Sequence, residues 1–111
     1  MAMPLIDETV MADWCMDLDP EDVAAILERV PDQTRACIDD IEAAVAQGEF
    51  DRAKRVAHKL KGMSANLGAA RLSSMARQIE MECGGLDDLK ARLPLLKGTA
   101  TETLAALATR N

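Results

Sequence analysis

A chain of 111 residues with 49% hydrophobic residues can bury one sizeable core, and an aromatic content of 2% leaves Leu, Ala, Ile, Val and Met to build it. That alphabet favours helices over strands. A net charge of −6 argues against a non-specific nucleic-acid binder, which must neutralise phosphates, and three scattered cysteines without a CxxC pair argue against a disulfide framework or a zinc site.

The elements follow in chain order. Asp7 caps a short first helix, with Val10 and Trp14 on one face. Asp19 as N-cap, Pro20 at the first helical position and acids in the first turn open the second, striped by Val23, Ile26, Leu27 and Val30. Pro31 removes a backbone donor and should kink or interrupt it. Periodicity resumes through Cys37, Ile38, Ile41 and Val45 until Gly48. A third helix opens at Glu49 or Asp51 and runs to about Asn66, with Gly68 as its left-handed cap. A fourth spans Arg71 to Cys83, striped by Leu72, Met75, Ala76 and Ile79. After the Gly84-Gly85 turn, Leu86 to Arg110 forms the last, with Pro94 and Gly98 placing its continuity in question.

Short loops between long amphipathic helices imply antiparallel neighbours. The expected fold is all-α: an antiparallel up-and-down four-helix bundle with a short extra N-terminal helix, residues 1–111 forming a single domain. No apolar run is long enough to cross a bilayer and no leader pattern opens the chain, so the expected setting is the reducing cytoplasm. The Met start and Arg-Asn end fit a free-standing protein.

One stretch of the third helix, "RVAHKLKGMSANLGA", holds the sole histidine. At ~100° per residue, Val56, Leu60, Met63 and Leu67 define an apolar stripe, and His58 falls about 180° from its centre. It therefore faces solvent. Lys54, Lys61 and Ala65 lie on one side of it and Gly62 and Arg55 on the other. Residues 52–61 hold Arg52, Lys54, Arg55, Lys59 and Lys61, five of the 13 basic residues. A charge run is most often a solvated face. Gly62 points further, because a glycine inside a helix costs ~1 kcal/mol relative to Ala, and this one faces away from the core. A notch beside an exposed imidazole suits contact with another molecule. Imidazole nitrogen serves as a nucleophile near neutral pH, and nearby cations suit a transferring phosphoryl group.

These residues resemble the signature of the histidine phosphotransfer (HPt) domain of bacterial multistep phosphorelays, His-x-Leu-Lys-Gly-x-Ser followed by Gly-Ala. Here these are His58, Leu60, Lys61, Gly62, Ser64, Gly68 and Ala69. The resemblance extends over "AAVAQGEFDRAKRVAHKL" and "ARLSSMARQIE". It implies that His58 is the phosphoacceptor, that Lys61 offsets phosphoryl charge and that Gly62 admits a receiver domain, with Lys54, Arg55, Lys59 and Ala65 completing the docking face. It further implies that Glu80, 22 positions after the histidine, orients the imidazole through Nδ1. A salt bridge from Glu80 to Arg77 or to a basic residue of the adjacent helix is an equal alternative. Ser64 lies toward the buried side, where a hydrogen bond to its own backbone is the plain reading. Met81 points away from its helix's stripe, either as an incidental exposed side chain or as part of a docking rim.

The resemblance implies a phosphoryl carrier without independent turnover. The absence of a Gly-rich nucleotide loop or GxxxxGK[ST] speaks against ATP binding. No carboxylate cluster suggests a private metal site, so Mg²⁺ is expected from the receiver. The expected partners are response regulator receiver domains and a sensor or hybrid histidine kinase, met by a monomer without nucleic acid or membrane. The alternative is a non-catalytic helical adaptor that docks two-component signalling proteins. A nucleic-acid or membrane-surface binder using residues 52–61 is disfavoured by the net charge.

Overall fold

Asp7 starts the first helix as its spacing requires: Oδ1 accepts hydrogen bonds from the backbone N–H of Thr9 at 3.0 Å and Val10 at 3.2 Å. The computed structural model describes residues 3–109, and its helices are α1 (Glu8–Asp17), α2 (Pro20–Ala46), α3 (Phe50–Leu67), α4 (Ala70–Met81) and α5 (Leu86–Ala108). The expected end of α5 at Arg110 lies outside the described residues. Among those residues no strand is present, and no helix is long and apolar enough to cross a membrane.

Asp19 precedes α2 without a side-chain capping bond, while Pro20, Glu21 and Asp22 fill its first turn. The helix then continues unbroken through Pro31 for 27 residues, correcting the expected interruption. A mid-helix proline costs ~3 kcal/mol. Leu27, Val30, Thr34, Cys37 and Ile38 are buried on either side of it, and apolar side chains contribute ~1.5–3 kcal/mol each when buried, so packing outweighs the lost donor. The same balance carries α5 through Pro94 and Gly98, between buried Leu89 and buried Leu96, Ala100 and Leu107.

Gly48 and Gly68 adopt positive φ, +72° and +96°, and end α2 and α3. Beyond α3, the amides of Gly68 and Ala69 return to the Ser64 carbonyl, closing the last turn. The chain reverses at once into α4. Helices α2 to α5 then pack in sequence, and α5 closes back on α2, giving the four-helix bundle; α1 packs on α3. Ile41, Leu60, Ile79, Leu89 and Leu96 form its centre, with Ala44, Ala53, Ala57 and Ala76 wholly buried between the helices.

These alanines correct the expected α3 stripe. The buried positions are Ala53, Ala57, Leu60, Ser64 and Leu67, whereas Val56 and Met63 are only partly covered. The buried face is thus turned by about 50° from the one defined by large apolar residues, and His58 stands about 140° from its centre. That rotation swings His58 and Lys61 toward α4.

Candidate functional site

Helices α3 and α4 run antiparallel from the turn at Gly68. His58 lies ten residues before that glycine and Glu80 twelve after it, so at 1.5 Å per residue both stand about 15–18 Å from the turn, level with each other. The hairpin is pinned nearer the turn by Ser73, whose Oγ donates to the Lys61 carbonyl at 3.0 Å.

Glu80 of α4 joins His58 and Lys61 of α3. Its Oε2 lies 2.5 Å from Nδ1 of His58, and its Oε1 accepts from Lys61 Nζ at 2.9 Å. One carboxylate thus makes both contacts, with the imidazole and with a basic residue of the adjacent helix, and Arg77 is not among its ion-pair partners. The hydrogen bond from Lys61, joined by that from His58 and the charges of both, holds the Glu80 carboxyl below its ordinary range against the opposing effect of desolvation. The carboxylate therefore stays ionised in neutral solution. The His58 side chain is 65% exposed, against 21% for Glu80 and 27% for Lys61. With Nδ1 turned to the carboxylate, Nε2 is the ring nitrogen directed away from it.

His58 opens onto a shallow depression bordered by Asp51, Lys54, Arg55, Lys61, Glu80 and Met81. Lys54 rests over the Phe50 ring, 5.3 Å from its centroid, and Arg55 is exposed. Gly62 and Ala65 are also exposed but border the adjoining depression, with Lys61, Ser73 and Arg77. A Cβ placed on Gly62 meets nothing within 4 Å, so the notch is open space. Lys59 is set apart from this group. It stands about 100° round α3 from His58, and its charge is felt by Cys37 of α2.

Of the rim residues, Asp51 escapes the sequence reading and Met81 enters it only as one of two alternatives. Asp51 reads only as a helix start; its place under His58 follows from being seven residues, or two turns, before it. Met81 leans toward the incidental in sequence, yet at 63% exposure it borders the His58 depression from the end of α4. Ser64 departs from its plain reading. Its buried Oγ has no hydrogen-bond partner among the described residues and sits instead in the core face of α3.

Comparison with known proteins bears on the same elements. The family model of the Hpt domain matches residues 25–109, from within α2 to the end of α5. The crystal structure of histidine-containing phosphotransfer protein B from Pseudomonas aeruginosa PAO1 is similar to this chain with a TM-score of 0.88 at 20% sequence identity. The match covers 97% of this chain and 95% of that one, so the likeness in fold includes α1. No curated protein matches the sequence.

Proposed function

The chain belongs to the Hpt domain family, and we propose that His58 is the residue through which it works. The family's function is histidine phosphotransfer in phosphorelays, exchanging phosphoryl groups with kinases and response regulators as a carrier rather than a conventional enzyme. The observation that supports His58 as acceptor is its exposed ring, fixed at Nδ1 by an ionised Glu80.

The chemistry follows from that arrangement. With the Nδ1 proton shared with Glu80, the Nε2 lone pair attacks the phosphorus of a receiver's aspartyl phosphate. An N–P bond forms, the P–O bond to aspartate breaks, and the aspartate leaves as carboxylate. The phosphorylated ring keeps its Nδ1 proton and gains positive charge, which the Glu80 carboxylate offsets. Lys61, flexible and within reach of the ring, turns from Glu80 to the phosphoryl oxygens. The reverse attack by a second receiver's aspartate returns the ring to its neutral state.

Gly62 leaves space for the partner, and Lys54, Arg55 and Ala65 border its approach; Lys59 serves a more remote edge of the same face. In this reading residues 1–111 act as one domain and one monomer in the cytoplasm, where the three free thiols Cys15, Cys37 and Cys83 persist. The carrier has neither ATP site nor turnover of its own, and Mg²⁺ arrives with the receiver.

The test is incubation with a radiolabelled phospho-receiver and Mg²⁺. Acid-labile, alkali-stable label should appear on the wild type and vanish in His58→Gln. Label that persists in the variant would move the acceptor elsewhere, and retained affinity without label would favour the adaptor.

A further inference from the structure

Within α5, the hydroxyls of Thr101 and Thr103 donate to the carbonyls four residues back, at 3.0 and 2.7 Å. This is the usual local bond of a helical hydroxyl. Ser73 of α4 does otherwise. Its Oγ leaves its own helix and donates, in a half-buried setting, to the carbonyl of Lys61 on α3. A carbonyl carries two lone pairs, so Lys61 accepts this bond without giving up one within its own helix.

Three polar side-chain contacts join α3 to α4 among the described residues: the Ser73 bond and the two that Glu80 makes, to His58 and to Lys61. Both Glu80 contacts run through groups that change during transfer, because the ring gains a phosphoryl group and Lys61 turns to its oxygens. Of the three, the Ser73 bond alone stands outside the reacting groups. It is also well placed to hold them. Ser73 and Glu80 are seven residues apart, about 20° short of two full turns, so they share one face of α4. A small swing at the Gly68 turn grows over the ~18 Å to Glu80, and a tie at Ser73 restrains it part of the way along. Sliding or turning α4 against α3 therefore strains the Ser73 bond and the Glu80 contacts together.

We propose that Ser73 is a positioning residue for phosphotransfer: its bond to the Lys61 carbonyl fixes the register of α4 on α3 and so keeps the Glu80 carboxylate on Nδ1 of His58 while Lys61 serves the phosphoryl group. The inference rests on His58 being the acceptor and adds a residue that acts on the ring through Glu80.

The test is a double-mutant cycle on the intact chain, with a receiver domain charged by acetyl phosphate and Mg²⁺. Ser73→Ala removes the donor and, alanine being the better helix former, does not weaken α4 itself. It should slow transfer to His58 about three- to tenfold at saturating receiver, because displacing a catalytic group by ~1 Å costs up to about 100-fold. In a Glu80→Ala background the same change should alter the rate by less than about twofold, since the carboxylate it positions is gone. Equal slowing in both backgrounds, or no slowing in the otherwise wild-type chain, overturns the proposal while phosphotransfer stands. The ring itself gives a readout without transfer. In nitrogen NMR spectra of the neutral imidazole, wild type should hold its proton on Nδ1, and Ser73→Ala should move toward the tautomer mixture of Glu80→Ala. Trp14→Phe, which removes the hydrogen bond from α1 to the Leu67 carbonyl, should leave the ring signals in place. A ring unchanged in Ser73→Ala, or moved as far in Trp14→Phe, also overturns the proposal. Missing label on wild-type His58 would instead remove the phosphotransfer assignment.

Discussion

Glu80 meets the His58 Nδ1 with one oxygen and the Lys61 ammonium with the other, so its substitutions separate position from charge. Glu80→Gln keeps an oxygen to accept the Nδ1 proton of His58 and loses the charge that answers Lys61. Glu80→Ala loses both. Transfer should slow only a few-fold in the glutamine variant and by about 10- to 100-fold in the alanine variant, by analogy with the loss of a carboxylate that orients a metal-ligating histidine. Stability adds a readout in pH. Because the folded carboxyl titrates below the ordinary glutamate value of 4.5, its contribution is complete above that value and is lost as pH falls through the lower, folded one. Denaturation midpoints of wild type and Glu80→Gln should therefore differ at neutral pH and converge in acid once the pH has fallen through the lowered, folded value. A gap that persists there would mean the loss is one of packing. Asp88 titrates low for its own reasons, the Gly84 amide and Arg92, and cancels in this difference. At this scale the outward position of His58 is legible from helical phase alone, and the level pairing of His58 with Glu80 follows once the turn at Gly68 puts nearly equal lengths of helix on either side. The place of Asp51 beside the ring is not legible, since nothing but its spacing from His58 marks it, and Met81 reads only as one of two alternatives.

On a single helix, α3, two glycines carry opposite predictions. Gly62 is helical, exposed and open to solvent, so a good helix former such as Gln should strengthen the helix there by ~0.5–1 kcal/mol. Gly62→Gln should accordingly melt at a slightly higher temperature while losing transfer, because the new side chain fills the approach to His58. Gly68 sits at φ +96°, and a Cβ there would lie 3.1 Å from the Asp7 carbonyl oxygen and 3.2 Å from the Met11 amide nitrogen. Gly68→Ala should destabilise by ~2 kcal/mol or more, from the left-handed backbone and the clash with α1 together. Thermal melts with parallel transfer assays check the pair, and a destabilised Gly62→Gln would mean that the notch is packed in solution. The sequence marks both positions, since one glycine interrupts a helical stripe and the other ends it. The sequence could not orient α3 correctly, because the face that packs deepest is built on Ala53, Ala57 and Ser64 rather than on Val56 and Met63. Small residues approach a neighbouring helix closely, so they bury more completely than larger ones on the flank. Pro31 misleads for a related reason: local cost is visible in sequence, and the tertiary packing that exceeds it is not.

Across the whole molecule, α3 divides the labour between its flanks. One flank faces α4 and carries His58 and Lys61; the other meets α1 and α2 through Met63 and Leu67. The latch on that second side is Trp14, whose indole N–H donates to the Leu67 carbonyl at 2.8 Å, next to the Asp7 amide bonded to the Gly68 carbonyl at 2.7 Å. The Trp14 bond satisfies an acceptor at the end of α3, the Asp7 amide shares the Gly68 carbonyl with the Ala70 amide, and together they fix α1 across the α3–α4 turn. Trp14→Phe keeps an aromatic ring in the groove and removes one donor. It should cost ~1 kcal/mol, and thus lower the melting temperature by about 4–8 °C. Because Trp14 bonds Leu67, nine residues beyond His58 and about 180° round α3 from it, His58 should accept phosphoryl at close to the wild-type rate. A rate that falls in step with stability would show that α1 positions the hairpin and that the bundle end and the phosphoacceptor face are mechanically one unit.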